Sequence, residues 1–225
     1  MSLLTRRGLL TQKKGLPDIY QPVEYLWSKN AIPWIDTEYA VTTPDFRIEF
    51  KFMRNGAITT STWGVDFSSA PREMHGHFYQ DNIYYGSNKL YCGTSISTDE
   101  PLEGYIQFSK IYTNEKGKDA QDIEYQLGDF HNVISTQDLG VFRGTTYTDF
   151  LFGVNGKRDR VSCEHRCYLK LYYFKYFDNT GKLQRHFVPC YRKSDNKPGM
   201  FELVTQKFHV NKASSEFVLG PEVAV

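Results

Sequence analysis

The 225-residue sequence contains no apolar run of membrane-spanning length, which removes a transmembrane helix from consideration. It has almost no helical periodicity, and what remains is an all-β reading. Twenty-seven lysines and arginines face 26 acids, a net charge of +1, so no bulk field points to nucleic acid or to an acidic membrane surface. The four cysteines, Cys92, Cys163, Cys167 and Cys190, are too few for a dense disulfide framework. With no secretory apolar region at the start, they are expected to be free thiols formed in a reducing cytoplasm. No Gly-x-Ser-x-Gly elbow and no phosphate-cradling glycine loop occurs. No acid cluster is dense enough to nominate a calcium site.

Aromatic residues, in contrast, are abundant: sixteen Tyr, sixteen Phe and three Trp. Most belong to half-buried strands. The clearest runs from Phe46 to Phe52, with Phe46, Ile48, Phe50 and Phe52 on one face and Arg47, Glu49 and Lys51 on the other. That alternation suits an antiparallel sheet with one face on a core and one toward water. Val23 to Tyr39 reads as a first strand region, broken by the Ser28-Lys29-Asn30 turn and Pro33. Asn55-Gly56 supplies a turn. The Gly- and aromatic-rich run from Ile58 to Cys92 is expected to hold short strands between turns. Within Leu102 to Asp129, one strand contains Tyr105, Gln107 and Ser109, and Asn114 to Asp122 reads as a flexible polar loop. Further strands are expected at Phe130–Ile134 and Asp149–Gly153, and residues 155–160 read as an exposed basic loop.

The last quarter contains a hairpin. Leu169, Leu171 and Tyr173 alternate with Lys170, Tyr172 and Phe174, Asp178-Asn179-Thr180-Gly181 is turn chemistry, and Leu183, Arg185 and Phe187 resume the alternation. Pro189 donates no ladder hydrogen bond, so the second strand is expected to end or bulge there.

Residues 1–20 differ from everything after them. Arg6, Arg7, Lys13 and Lys14 face a single acid, Asp18. A short motif occurs twice: a leucine pair (Leu3-Leu4, then Leu9-Leu10), a threonine, two cations and Gly-Leu. Such a segment is too polar to fold alone. It is expected to be an arm that gains order on a neighbouring protein subunit, with Leu3, Leu4, Arg6, Arg7, Leu9, Leu10, Lys13 and Lys14 as its contact residues. Residues 21–225 form the domain it serves.

Three arrangements contain residue types that could carry chemistry. Asp122-x-Glu124 has the spacing of two acids on one strand face but no third acid in register, so a glycosidase pair is not expected. Cys163-Glu164-His165-Arg166-Cys167, with Cys190, could supply zinc ligands, though buried cysteine acting as a small apolar residue is the favoured reading. His75-Gly76-His77 reads as a loop. No cofactor or metal is expected. For sugar stacking the candidates are Trp63, Tyr84, Tyr85 and Tyr91, with Asn82 and Asn88 as hydrogen-bonding neighbours.

The two ends of the chain also carry a resemblance. Phe177-Asp178-Asn179, Leu183, Arg185, Phe187, the segment from Pro189-Cys190 to Asp195, Gly199, Glu202-Leu203-Val204, Phe208, Asn211, Phe217 and Gly220-Pro221 form one set. Val23-Glu24-Tyr25-Leu26 and Ile35-Asp36-Thr37 form the other. Together they resemble the concanavalin-like, laminin-G-like jelly-roll domains of gut bacteriophage (crAss-like) and prophage virion proteins. The middle of the chain is less similar, and His186 stands where that group commonly has an acid. The resemblance implies a jelly-roll β-sandwich in a non-catalytic structural protein of the virion, assembled in the bacterial host cytoplasm. Its expected place is a capsid decoration, head-fibre or tail-associated subunit, present in many copies or as a homo-oligomer. The implied partners are other virion proteins: capsid, portal, tail or fibre subunits. The alternative is a lectin-like adhesin that engages host-surface polysaccharide.

Overall fold

The computed structural model of the chain describes residues 15–54, 60–64, 75–79, 82–85, 88–90, 100–137, 141–155, 161–163 and 167–224. Among them there is no helix, hence none long and apolar enough to cross a membrane. The described residues form an all-β fold of two antiparallel sheets, one of twelve strands and one of six.

The large sheet is organised on β4 (Phe46–Arg54) and β14 (Leu169–Asp178), which pair along nearly their whole lengths. Phe46, Ile48, Phe50 and Phe52 of β4 are buried as their alternation predicts. Each such side chain contributes about 1.5–3 kcal/mol on leaving water. On the β4 side follow β9 (Leu102–Phe108), β11 (Asp119–Leu127) and β12 (Phe130–Gln137), with the short β10 (Tyr112–Thr113) also on β11. Beyond β14 lie β15 (Leu183–Arg192), β16 (Lys197–Glu202) and β17 (Lys207–Val210). β1 (Tyr20–Pro22) pairs with β15, while β2 (Leu26–Trp27) lies between β14 and β18 (Val218–Leu219). The small sheet runs β3 (Ile35–Asp36), β13 (Phe150–Leu151), β5 (Thr60–Gly64), β6 (His75–Tyr79), β7 (Asn82–Tyr85) and β8 (Asn88–Leu90).

One core joins them. Phe50, Phe52, Phe108, Phe174 and Phe187 of the large sheet share a buried cluster with Ile35, Phe150 and Leu151 of the small one. Trp34 stacks on Phe150 with ring centroids 4.3 Å apart. This arrangement is compatible with a β-sandwich.

The residues of the terminal motifs have identifiable physical roles. Asp178 holds the hairpin turn: its Oδ1 accepts from Thr180 N at 2.9 Å and Lys182 N at 3.0 Å, and Gly181 takes φ of 79°. Asn211 Oδ1 accepts from Trp34 N and Ala213 N, and its amide donates to Ser215 O at 2.6 Å. Gly220 passes so close to β2 that a Cβ there would sit 2.9 Å from Tyr25 N. Gly144 combines a left-handed backbone with a crowded site. Its φ is 93°, and a Cβ would fall 2.3 Å from Thr42 O. Gly144→Ala is expected to lower stability by about 2 kcal/mol, read as a lower thermal midpoint, because both the left-handed backbone and the contact resist a side chain.

Five sequence expectations are corrected. β14 does not alternate throughout: its register against β4 shifts between Leu171 and Tyr173, leaving Tyr172 as an extra residue. The buried set therefore passes from Leu169 and Leu171 to Phe174 and Tyr176, and Tyr173 joins the opposite face. β15 neither ends nor bulges at Pro189 but continues to Arg192. Proline is tolerated there because its carbonyl takes Val23 N at 3.1 Å at the point where β14 gives way to β1, and no ladder donor is required. The polar loop is shorter than Asn114–Asp122, since Asp119–Asp122 belong to β11 and only a turn closed by Asn114 and Gly117 remains. His75-Gly76-His77 lies in β6, not in a loop. Asn155 is buried and donates to Thr148 O at 3.1 Å; residues 156–160 of the expected basic loop lie outside the described residues, as does the Asn55-Gly56 turn.

A second, smaller cluster lies on the other face of the large sheet. Val188 and Cys190 of β15 and Phe201 of β16 are covered there by Leu16 and Tyr20. The Tyr20 ring sits 4.9 Å from Phe201 and 4.8 Å from Phe208. Residues 15–20, the root of the leading segment, are thus packed on the chain's own domain. Leu3, Leu4, Arg6, Arg7, Leu9, Leu10, Lys13 and Lys14 lie outside the described residues.

Candidate functional site

The outer face of the large sheet carries an array of polar and aromatic side chains. Strand pairing sets it out in rows. Gln126, Tyr105, Glu49, Lys175 and His186 follow one another across β11, β9, β4, β14 and β15. Glu103, Lys51 and Tyr173 form a neighbouring row.

The acids of this face are engaged. Glu49 accepts from Arg47 at 2.7 Å and Lys175 at 3.3 Å. The Arg47 guanidinium lies 3.9 Å over the Tyr105 ring, and Tyr105 donates its hydroxyl to Glu124 at 2.8 Å. His131 Nε2 meets the same Glu124 oxygen at 3.0 Å. Tyr173 donates to Glu103 at 2.5 Å, with Lys51 3.8 Å from that carboxylate. Asp122 accepts from Tyr112 at 2.9 Å and from Ser135 at 2.5 Å.

These bonds bear directly on acid chemistry. The hydrogen bonds from His131 and then Tyr105 hold the Glu124 carboxyl below the usual range. A glycosidase general acid needs the opposite shift. Through these bonds Asp122 and Glu124 tie β11 to β9, β10 and β12.

Toward β2 the face changes character. Tyr25, Trp27 and Tyr172 gather there, Tyr172 lying two residues beyond Lys170, the partner of Trp27, on β14. Tyr25 and Tyr172 meet edge to face at 5.3 Å. Lys170 Nζ sits 4.8 Å from the Tyr25 ring and 5.2 Å from Trp27, Lys29 lies 5.4 Å from Trp27, and Lys51 5.6 Å from Tyr172. Lys29 and Lys170 have no carboxylate partner among the described residues. Burial, with Tyr25 and Glu24 nearby, pushes the Tyr172 phenol up to about 12, so it stays a neutral donor. Three rings flanked by ammonium groups supply apolar stacking faces beside positive charge. Sequence reasoning passed over this group. The Tyr25-x-Trp27 spacing puts two rings on one strand face, but only the pairing of β2 with β14 brings Tyr172 to them.

The predicted sugar-stacking residues lie elsewhere. Trp63 is on β5, and Tyr84 and Tyr85 are on β7. Register places Trp63, Gly76 and Tyr85 in one row, with Tyr84 in the next beside His77 and Lys89. Tyr91 lies outside the described residues. Asn82 and Asn88 open β7 and β8.

The cysteines are divided between the two clusters. Cys163 and Cys167 are buried in the main core, Cys190 in the small cluster under Tyr20. Burial holds the Cys167 and Cys190 thiols well above their ordinary range, as expected of small apolar side chains. Glu164, His165, Arg166 and Cys92 lie outside the described residues. Among those described, no group of three His, Cys, Asp or Glu comes together to hold a metal.

No family model matches the chain, and no curated protein is significantly similar to it.

Proposed function

We propose that the chain is a non-catalytic structural subunit of a bacteriophage particle: a concanavalin-like jelly roll held to its neighbours by the basic leader. Its place would be a capsid decoration, head fibre or tail-associated position, in multiple copies. The phage setting rests on the terminal motifs. The observation that carries the anchoring role is the fixed root of the leader. Tyr20 is clamped between Phe201 and Phe208, β1 is laced to β15, and Gly15 lies against Leu203. The leading residues therefore depart from one defined point on the sheet, as a tether must. Just after that root the chain is bound to its C-terminal segment, Val223 N to Pro22 O and Glu24 N to Pro221 O.

Removal of residues 1–14, which spares Leu16 and Tyr20, is expected to abolish incorporation into particles at an unchanged thermal midpoint. Wild-type occupancy in particles carrying the shortened chain would overturn the anchoring role.

A second reading, a glycan-binding adhesin, is favoured by the Tyr25, Trp27 and Tyr172 group. Rings beside Lys29 and Lys170 suit a saccharide bearing carboxylate or phosphate. Binding of an acidic capsular polysaccharide that falls at least ~10-fold in Trp27→Ala supports it. Loss in Trp63→Ala or Tyr84→Ala instead would transfer the site to the small sheet.

A further inference from the structure

β12 is the one long strand with an open side among the described residues. It pairs with β11 at all eight positions, without a register shift, and with nothing else described. The other margins are short or covered. β10 and β18 have two residues each. β17 has four, and there Lys207 is bound to Glu38 and the His209 ring to Asp36 O.

The direction of each backbone group on β12 follows from its neighbours. Asp122 exchanges bonds with Ser109 on the β9 side: Ser109 N to Asp122 O at 2.9 Å, and Asp122 N to Ser109 Oγ at 2.9 Å. Backbone groups alternate along a strand. Even-numbered residues of β11 thus point to β9, and Gln121, Ile123 and Tyr125 point to β12. Their register partners are Thr136, Ile134 and Asn132. His131, Val133, Ser135 and Gln137 must then direct their N–H and C=O groups away from the sheet. Val133 shows it, its N–H having only the neighbouring Asn132 Oδ1, at 2.8 Å, as partner.

Natural sheets blunt such edges with lysine, proline, bulges or brevity. β12 has none of these. Its sequence, FHNVISTQ, contains no Lys, Arg, Asp, Glu, Pro or Gly, in a chain of which 24% is charged. Val133, at its middle, is 51% exposed.

We propose that β12 is a self-association edge: two copies pair through antiparallel β12 strands about a two-fold axis at Ile134, fusing their large sheets into one. This goes beyond the virion reading and does not depend on it. The symmetry sets His131 against Gln137 and Val133 against Ser135, residues that all face the open side, for about eight new backbone hydrogen bonds. It also brings the two Ile134 side chains together at the axis, where each is only partly buried at the margin of its own core. A second copy suits the edge better than the basic leader does. An uncharged strand opposes itself without repulsion, whereas Arg6, Arg7, Lys13 and Lys14 would find the nearby acids already engaged, Asp119 by Arg143 and Glu124 by His131.

The test is sedimentation of the full chain across concentration, joined to amide hydrogen exchange. The expected result is twice the monomer mass at ~0.1 mM, with the amides of His131, Val133, Ser135 and Gln137 slowed at least ~10-fold relative to the dilute chain. Those of Asn132, Ile134 and Thr136 stay protected throughout. Val133→Lys, a change at an exposed position, is expected to give a folded monomer. Three results would overturn the proposal: monomer mass at the highest concentration, a dimer whose odd-numbered β12 amides exchange freely, or a dimer undisturbed by Val133→Lys. Protection of the same amides in a monomer by an added peptide of residues 1–14 would overturn it equally, giving the edge to the leader.

Discussion

Glu202→Ala is expected to cost about 4 kcal/mol of folding stability, measured as a shift in the urea midpoint at unchanged slope. The carboxylate is wholly buried at the end of β16. Its Oε1 accepts from His186 N on β15 at 2.8 Å and from Val204 N at 2.9 Å. Its Oε2 accepts from Thr205 N at 2.6 Å and from the Thr205 hydroxyl. Truncation leaves four donors without their acceptors, the costly direction of the hydrogen-bond asymmetry. Burial alone would raise this carboxyl, but the bonds from Thr205, His186 and Val204 outweigh it and hold it below the ordinary range. Glu202→Gln keeps an acceptor and is expected to lose roughly half as much. Equal losses in the two variants would show that charge, not the capping of the turn, is what matters.

Acid is expected to destabilise the domain well before the carboxylates titrate. His186 is pushed down to about 4, first by burial and then by Lys175, with Glu202 opposing. His209 is lowered in the same way, again chiefly by burial. The unfolded chain takes up its imidazole proton near pH 6.5, and the folded chain takes up that of His186 only near 4. Between these values the unfolded state binds more protons, so stability falls with pH through that window. For His186 the loss is about 2–3 kcal/mol by pH 4. Thermal midpoints at pH 7, 5.5 and 4.5 should decline, and His186→Gln should flatten the decline. A wild-type midpoint constant over that range would refute the assignment.

What could be read in the sequence depended on how local its cause was. β4 was legible because seven residues alternate without interruption, and burial needs nothing else. The hairpin turn was legible because Asp178 and Gly181 act on their own backbone. The β14 bulge was not, since Tyr172 and Tyr173 satisfy either phase and only pairing with β4 decides between them. Pro189 misled for a related reason. Its missing donor matters only if a neighbouring strand asks for one, and there β14 has given way to β1. The Asp119–Asp122 run reads as loop by composition, yet Gln121 anchors it by donating to Pro44 O at 2.7 Å and accepting from Phe142 N at 2.9 Å. The Tyr25, Trp27 and Tyr172 group is a further case, assembled across β2 and β14 from positions far apart in the chain.

The closure of β2 has a consequence for how the molecule is made. Leu26 and Trp27 find their partners Val218 and Leu219 only about 190 residues later in the sequence. Contacts so distant in sequence slow folding, because the loop between them must be ordered before the pairing repays it. A nascent chain leaving the ribosome therefore carries the β18-facing side of β2 uncovered until Val218 and Leu219 emerge. Val218 and Leu219 act as a latch, and translation must reach them before the domain can shut.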